Sequence, residues 1–200
     1  MYLLDKIVDL AKTEANLFDY DFQIFDAVNT VQNVLKTFEP LAAAKNIEMS
    51  LDTSDVIKKT IFSDENALKL ALQNVFETSL NLTDIGSISV RVAHPDQELV
   101  EAQGFEIPQE FSEKSYLLIS VSDTGAGFVS SDLDILFDPY AQLEKTNKKN
   151  IVRSLALTSS RNMIKHLKGN IWIVDCNSTL YRYNGAMSNN GIKQYRREKN

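Results

Sequence analysis

One stretch of the chain, from Tyr116 to Phe128, combines a nearly uninterrupted apolar run with a glycine-containing turn. The apolar run from Tyr116 to Val121 predicts a strand buried on both faces of a sheet. Asp123, Gly125 and Gly127 follow it in the order Asp-Thr-Gly-Ala-Gly. The glycines allow a sharp turn and a close approach to a ligand, and the acidic side chain can accept hydrogen bonds from an amino group. A plain turn after a strand has the same composition, so this motif alone leaves both interpretations open.

Apolar residues recur at helical spacing in four other stretches, which is typical of amphipathic helices. The predicted helices are Met1 to Phe18, Val28 to roughly Asn46, a helix opened by Ser63, Asp64 and Glu65, and Ala156 to Leu167. Asp26 is suited to cap the second of these helices, and Pro40 predicts a kink or a break within it. The stripe of the first helix consists of Leu3, Leu4, Ile7, Val8 and Ala11. We expect it to pack either on this domain or on a second chain.

Shorter alternating or apolar stretches predict the strands of a sheet. Besides the run at Tyr116, they are Tyr20 to Phe25, Ile47 to Leu51, Ile88 to Val92, Asn170 to Val174 and Thr179 to Tyr183. The polar stretch 53–60 predicts a loop, residues 94–115 a long excursion, and residues 145–150 a polar, mobile segment. The resulting order of elements predicts an α/β (α+β) two-layer sandwich, in which helices cover one face of a mixed β-sheet.

A polar row on the third helix accompanies this framework. Asn74, Thr78 and Asn81 lie at positions i, i+4 and i+7, so they share one face of the helix. Such a row is usually a solvated helix face, and a ligand-binding role is the second interpretation. The spacing alone does not decide between them.

Composition narrows the classes of function. The chain has 200 residues and a formal net charge of -6, which argues against a general nucleic-acid or anionic-membrane surface. Cys176 is the single cysteine, so an internal disulfide is excluded and a reducing compartment is favoured. No apolar run is long enough to span a bilayer. These features predict a cytoplasmic domain with no nucleic-acid partner and no direct membrane contact.

Taken together, these segments resemble the C-terminal part of a sensor histidine kinase. LLDKIVDLAKTEANLF resembles the end of the second dimerisation helix, and NALKLALQNVFETSLNLTDIG resembles the asparagine-bearing helix of the ATP-binding lobe. VSDTGAGF resembles the first glycine box, LFDPYAQ the phenylalanine box, and SLALTSSRNMIKHLKGNIWI the second glycine box with its helix and strand. The resemblance implies a Bergerat-type ATP-binding fold. It divides the chain into the end of a dimerisation helix (1–18), an ATP-binding domain (19–184) and a loose tail (185–200).

The resemblance also implies a set of nucleotide-binding residues. Asp123 matches the aspartate that hydrogen-bonds the adenine amino group, and Gly125 and Gly127 match the glycines beside the nucleotide. Asn74 matches the asparagine by the phosphates, and Thr78 stands where the family has a metal-binding asparagine. The full set of expected nucleotide-binding residues is Asn74, Thr78, Asn81, Asp123, Gly125, Gly127, Phe137 and Thr179, with Asn74 and Thr78 as the expected Mg²⁺ ligands.

Two departures put phosphate chemistry in question. The second glycine box, normally G-x-G-L-G-L, aligns with Val152 to Leu157 and has lost all three glycines. In the family these glycines let backbone amides at a helix start meet the phosphates. Side chains at Val152 and Ala156 should obstruct that approach, although Arg153 and Ser154 retain groups that can contact an anion. We expect neither His94 nor His166 to be a phosphoacceptor.

Three functions therefore stay open. The first is the ATP-binding catalytic lobe of a two-component kinase, as a fragment with an impaired site, transferring phosphate from Mg-ATP to a histidine outside this chain. The second is an inactive pseudokinase lobe that retains nucleotide binding. The third is an interaction protein that docks another chain through residues 1–18. The partners implied are ATP or ADP, the dimerisation helices of a histidine kinase and a response-regulator receiver domain, and the full-length parent is expected to be membrane-anchored.

Overall fold

The fold is described by a computed structural model that covers residues 2–15, 17–95, 116–128, 136–138, 148–173 and 180–186. Helices and strands alternate along the chain as the sequence predicts, with one additional strand. In chain order they are α1 (Tyr2–Glu14), β1 (Phe22–Asp26), α2 (Ala27–Ala44), β2 (Ile47–Asp52), β3 (Thr60–Asp64), α3 (Glu65–Leu82), β4 (Gly86–Ala93), β5 (Tyr116–Asp123), α4 (Lys148–His166), β6 (Asn170–Ile173) and β7 (Leu180–Ala186).

The main sheet has five strands in the order β2-β4-β5-β7-β6. Strand β2 runs parallel to β4, and the other neighbouring pairs are antiparallel, so the sheet is mixed. Strand β5 occupies the middle of the sheet, which confirms the prediction made from its apolar run. Strands β1 and β3 form a separate antiparallel pair.

One hydrophobic core joins the sheet to the helices. Ile88 and Val90 of β4 and Ile119 and Val121 of β5 are buried in the same apolar cluster as residues of α2, α3 and α4. Helix α3 packs against α2, α4 and β5, and α2 packs against β2. The molecule is therefore an α/β sandwich, as predicted, in which the helices cover the sheet.

Two aspartates fix the starts of the long helices. The side chain of Asp26 accepts a hydrogen bond from the backbone N–H of Asn29 at 2.9 Å, and Asp64 accepts one from Ala67 at 2.8 Å. Each carboxylate satisfies an amide that has no partner within its helix and places a negative charge at the positive helix end. Both caps agree with the sequence analysis.

The structure corrects the predicted boundaries at several places. Residues Thr60–Asp64 form strand β3, where the sequence predicts the end of a loop and the start of a helix. Helix α2 continues through Pro40 to Ala44, so the break allowed for at the proline is absent. Strand β7 includes Gly185 and Ala186, which the sequence analysis assigned to the tail. The predicted excursion after Pro95 lies outside the described residues.

Helix α1 presents its apolar stripe away from the domain. Leu3, Leu4, Ile7 and Val8 are between 39% and 61% exposed, whereas Leu10 is 5% exposed. The helix packs on α4 of the same domain. The sequence therefore identified the helix, the stripe is largely exposed on this domain, and its packing on a second chain stays a prediction.

Candidate functional site

Asp123 ends the central strand and is 1% exposed. In the antiparallel register it lies opposite Ile88 of β4, a fully buried core residue. Side chains directly opposite each other in an antiparallel pair share one face of the sheet. The carboxylate of Asp123 therefore lies on the face that the helices cover, at the end of β5.

The turn after Asp123 is held against the C-terminal end of α3. The backbone N–H of Gly125 donates to Asp123 Oδ1 at 3.0 Å, and that of Ala126 donates to Leu82 O at 3.1 Å. A Cβ at Gly125 would lie 2.5 Å from Leu82 O and 2.9 Å from Asp123 Oδ1. Glycine is therefore required at position 125 by the protein's own backbone. Gly127 has a φ of 66°, in the left-handed region that favours glycine.

A lysine that the sequence analysis did not select secures the same end of α3. The ammonium of Lys45 donates to the carbonyl oxygens of Leu80 at 2.6 Å and Thr83 at 3.1 Å. Carbonyls at a helix C-terminus lack intrahelical partners, and a cation there also complements the helix dipole. Lys45 thus helps to position the strand-turn segment in which Asp123 lies.

The polar row on α3 does not behave as one set. Asn74 is 5% exposed and Thr78 is 4% exposed, but Asn81 lies on the surface. The hydroxyl of Thr78 donates to the backbone oxygen of Asn74 at 2.8 Å, within the helix. A shared cavity of Asn74, Thr78 and Asn81 with Asp123 stays a prediction.

Asn74 links three helices. Its Nδ2 donates to Ala156 O at 3.1 Å and to Ser160 Oγ at 2.9 Å, both on α4. Its Oδ1 accepts from the ammonium of Lys6 on α1 at 2.6 Å. The sequence analysis selected Asn74 but neither Lys6 nor Ser160, since nothing in the local pattern indicates contacts across 68 and 86 residues.

The segment that aligns with the second glycine box is helical. Helix α4 begins at Lys148, four residues before Val152. In an α-helix the amides from the fifth residue onward donate to carbonyls of the preceding turn. The amides of Val152 to Leu157 are therefore engaged inside the helix. The first residues of α4 also fall in the stretch 145–150, which the sequence analysis expected to be mobile.

Arg153 and Ser154, the two residues of this segment that could contact an anion, both have partners within the protein. Ser154 is fully buried, and its hydroxyl donates to Leu136 O at 2.9 Å. The guanidinium of Arg153 lies 5.5 Å from the centre of the Phe128 ring. Ser154 therefore serves packing, and Arg153 covers the aromatic residue that follows the glycine turn.

Phe137, which the resemblance places among the nucleotide-binding residues, contacts a residue of α4. The guanidinium of Arg161 lies 5.0 Å from the centre of the Phe137 ring. Thr179 lies outside the described residues. The assignment of Phe137 and Thr179 to a nucleotide site stays a prediction.

The side-chain oxygen of Asn74, an expected Mg²⁺ ligand, already has a cation beside it. A lysine ammonium holds Asn74 Oδ1, and the Thr78 hydroxyl donates within α3. Mg²⁺ requires oxygen ligands in near-octahedral geometry and does not tolerate a cation at a ligand position. In the ranges that the structure describes, no group of three or more His, Cys, Asp or Glu residues could hold a metal ion. Within the same ranges, no helix has the length and apolarity to cross a membrane.

Comparisons of the sequence with known proteins agree with the fold. The profile of the family described as histidine kinase-, DNA gyrase B-, and HSP90-like ATPase matches residues 63–191. The autoinducer 2 sensor kinase/phosphatase LuxQ of Vibrio harveyi is 27% identical over 172 residues, which cover 86% of this chain and 19% of LuxQ. LuxQ of Vibrio vulnificus strain YJ016 is 27% identical over 174 residues, 84% of this chain and 18% of that protein. The chain thus spans about a fifth of the length of these relatives.

Solved structures share the architecture at low sequence identity. Full-length ShkA in complex with AMPPNP superposes with a TM-score of 0.72 at 17% identity, covering 93% of this chain and 36% of ShkA. The histidine kinase AdeS of Acinetobacter baumannii gives 0.66 at 17% identity, covering 93% and 77%. The catalytic domain of the histidine kinase ThkA gives 0.62 at 15% identity, covering 84% and 96%.

Proposed function

This chain belongs to the histidine kinase-, DNA gyrase B- and HSP90-like ATPase family, and on that basis we propose that it is the nucleotide-binding lobe of a two-component sensor kinase. In this proposal the lobe recognises the adenine base of ATP or ADP and holds the phosphates weakly. The histidine that accepts a phosphoryl group from ATP would lie outside this chain. A response-regulator receiver domain would accept the phosphoryl group from that histidine.

The observation that carries the proposal is the placement of Asp123. Its buried carboxylate ends the central strand and is oriented by the Gly125 amide, while the turn is fixed to α3 through Leu82. A pre-oriented carboxylate in a water-poor site is suited to accept a hydrogen bond from an exocyclic amino group. This supports recognition of adenine by the residue that the family resemblance assigns to it.

The phosphate end gives less support for phosphoryl transfer. Transfer from ATP depends mainly on positioning and on stabilisation of the phosphate charges. The backbone amides aligned with the second glycine box are engaged within α4, and Asn74 is bound by Lys6. We therefore favour the nucleotide-binding module over the full catalytic lobe.

Neither described histidine lies in the segment that the resemblance assigns to a dimerisation helix, so we expect neither to accept phosphate. His94 Nδ1 lies 3.0 Å from the carbonyl oxygen of Tyr116, at the inner strands of the sheet. His166 Nδ1 lies 2.9 Å from the carbonyl oxygen of Asn162, in the last turn of α4. These contacts support the view that phosphate, where it is transferred, goes to another chain or another domain.

Calorimetric titration with ATP and ADP, each with EDTA and with Mg²⁺, tests the proposal. ATP and ADP should bind with dissociation constants within roughly tenfold of each other, since 1.4 kcal/mol is all that a weak γ-phosphate contact would add. Incubation with γ-labelled ATP and a supplied dimerisation domain should give no labelled histidine. Efficient labelling of the histidine would favour the catalytic lobe instead. If no nucleotide binds, the interaction protein is the one function of the three that is left.

A further inference from the structure

Helix α1 contacts the domain through one face that carries a charge. Lys6, Leu10 and Thr13 lie at positions i, i+4 and i+7 and so share a face of the helix. Leu10 is 5% exposed, Thr13 is 2% exposed, and the helix packs against α4. The Lys6 side chain is 14% exposed, although it ends in an ammonium. A lysine buried to this degree needs oxygen partners.

Two oxygens on α3 face that ammonium. Lys6 Nζ lies 2.6 Å from Asn74 Oδ1 and 3.7 Å from Glu77 Oε2. Asn74 and Glu77 are one turn apart, so their side chains lie on adjacent parts of the same helix face. One carboxamide oxygen and one carboxylate oxygen around a cation are ligands that a divalent metal such as Mg²⁺ also uses.

The Asn74 carboxamide cannot offer its oxygen elsewhere without cost. Both Nδ2 hydrogens are directed at α4, one to Ala156 O at 3.1 Å and one to Ser160 Oγ at 2.9 Å. Ser160 Oγ in turn donates to Ala156 O at 2.9 Å, so the acceptor side is itself fixed. Rotation of the carboxamide away from Lys6 would break both bonds to α4.

We propose that Lys6 holds the Asn74 oxygen in place of a divalent cation, so that docking of α1 and binding of a metal at Asn74 exclude each other. The inference rests on the proposed function, because it concerns the end of the nucleotide site at which the family places its metal. Helix α1 then acts as a strap, by which we mean that its docking places Lys6 at the position a metal would occupy and so prevents metal binding. Nucleotide binding by the strapped chain is then independent of Mg²⁺.

Removal of the ammonium should create the metal site. In Lys6→Met the side chain keeps an apolar stem of similar length for packing. The Asn74 and Glu77 oxygens lose their cation and face each other across the vacated position. Mg²⁺ bound to a nucleotide can then take both oxygens. Lys12→Met is the matched control, since it removes the same charge from an exposed position on the same helix.

The experiment is calorimetric titration of the parent, Lys6→Met and Lys12→Met with a non-hydrolysable ATP analogue in EDTA and in Mg²⁺. The parent and Lys12→Met should bind the analogue equally in both conditions. Mg²⁺ should tighten binding to Lys6→Met by about tenfold or more, which corresponds to 1.4 kcal/mol. Circular dichroism on each variant reports whether the fold is kept.

Two results would overturn the strap. One is that Mg²⁺ tightens binding of the ATP analogue to the parent by about tenfold. This result would contradict the proposal even if Lys6→Met does not fold. The other is a response to Mg²⁺ in folded Lys6→Met no larger than that of Lys12→Met. The proposal is supported if the parent binds the ATP analogue equally in EDTA and in Mg²⁺, and if Mg²⁺ tightens binding in Lys6→Met alone.

A second readout separates this inference from the proposed function. If neither the parent nor any variant binds a nucleotide, the proposed function is wrong. NMR of the Asn74 side-chain amide then tests separately whether Lys6 contacts Asn74. Its resonances should shift in Lys6→Met and stay unchanged in Lys12→Met, and added Mn²⁺ should broaden them only in Lys6→Met. Unshifted resonances, or broadening by Mn²⁺ in the parent, would overturn the inference.

Discussion

The side-chain amide of Asn74 on α3 donates a hydrogen bond to the hydroxyl oxygen of Ser160 on α4 at 2.9 Å. Ser160 is fully buried, so no water replaces it as a partner. The two helices form much of the helical layer and meet through this polar contact as well as through apolar residues. A buried amide that loses its acceptor retains a desolvation cost with nothing to offset it.

We predict that Ser160→Ala lowers the free energy of unfolding by about 1–3 kcal/mol. Ser159→Ala is the matched control on the same helix. Ser159 is 1% exposed, and its hydroxyl has no hydrogen-bond partner among the residues that the structure describes, so alanine should be neutral or slightly stabilising there. Urea unfolding of the two variants measures the difference. Equal stabilities would show that the Asn74–Ser160 bond does not support the helical layer.

We predict that Gly125→Ala destabilises the fold by about 1–3 kcal/mol, the usual cost of inserting a methyl group where the structure has no room. The new Cβ would meet Leu82 O at 2.5 Å, and a backbone carbonyl at a helix end cannot move aside as a flexible side chain can. Ala126→Ser changes the exposed neighbour and should have little effect. A Gly125→Ala protein as stable as Ala126→Ser would contradict the contact with α3.

The elements that the sequence predicted well are those whose signals are local. The Asp26 and Asp64 caps depend on residues three positions apart, and the apolar run of β5 contains its own evidence for a central position. Pro40 shows the limit of a local rule. The proline removes one backbone donor, but the packing of α2 against α3 and β2 carries the helix past it.

The features that the sequence could not predict depend on contacts between distant segments. Strand β3 has five residues with no strict alternation, and it is defined by pairing with β1 some 40 residues earlier. The face of α1 that contacts the domain carries Lys6, whose partner Asn74 lies 68 residues further along the chain, so no local pattern indicates this contact. At the candidate site, Asp123 and Asn74 were selected through motif order, and their role in nucleotide binding stays a prediction. The contacts of Lys6, Lys45 and Ser160 became visible only in three dimensions.

Tyr20 gives a prediction for alkaline pH. Burial, and secondarily the negative charge of Asp64, raise the pKa of Tyr20 from 10.0 to about 12. The folded state therefore holds this proton more tightly than the unfolded state does. The stability that results is fully present below pH 10.0 and is lost as the pH rises toward about 12.

We predict that Tyr20→Phe loses less stability than the parent between pH 10.0 and about pH 12. Phenylalanine keeps the ring that stacks on His166 at 5.1 Å, and it removes a buried hydroxyl that has no hydrogen-bond partner in the part of the chain that the structure describes. All other side chains are the same in both proteins, so the comparison isolates the Tyr20 hydroxyl. Thermal unfolding of parent and variant across the range measures the difference, and parallel curves would show that Tyr20 titrates normally.

The last prediction concerns the base that the site selects. ATP and inosine triphosphate carry the same phosphates and differ at the position where adenine has its amino group and inosine a carbonyl oxygen. A carboxylate at Asp123 accepts from the amino group and repels the carbonyl. The parent should therefore prefer ATP by about ten- to hundredfold, the equivalent of a charged hydrogen bond of about 1.5–3 kcal/mol.

Asp123→Asn should abolish or invert that preference. The Gly125 amide donates to Oδ1 at 3.0 Å and would keep the oxygen of an asparagine in the same place. The new NH₂ group then stands where the second carboxylate oxygen lies, so it can donate to the inosine carbonyl but not accept from adenine. Asp84→Asn, an exposed change of equal charge between α3 and β4, should leave the preference intact. ATP and inosine triphosphate have identical phosphates. The ratio of their dissociation constants, measured by calorimetry, therefore reports recognition of the base and does not depend on how Asn74 or α4 contacts the phosphates. If neither Asp123→Asn nor Asp84→Asn changes this ratio, Asp123 does not contact the base.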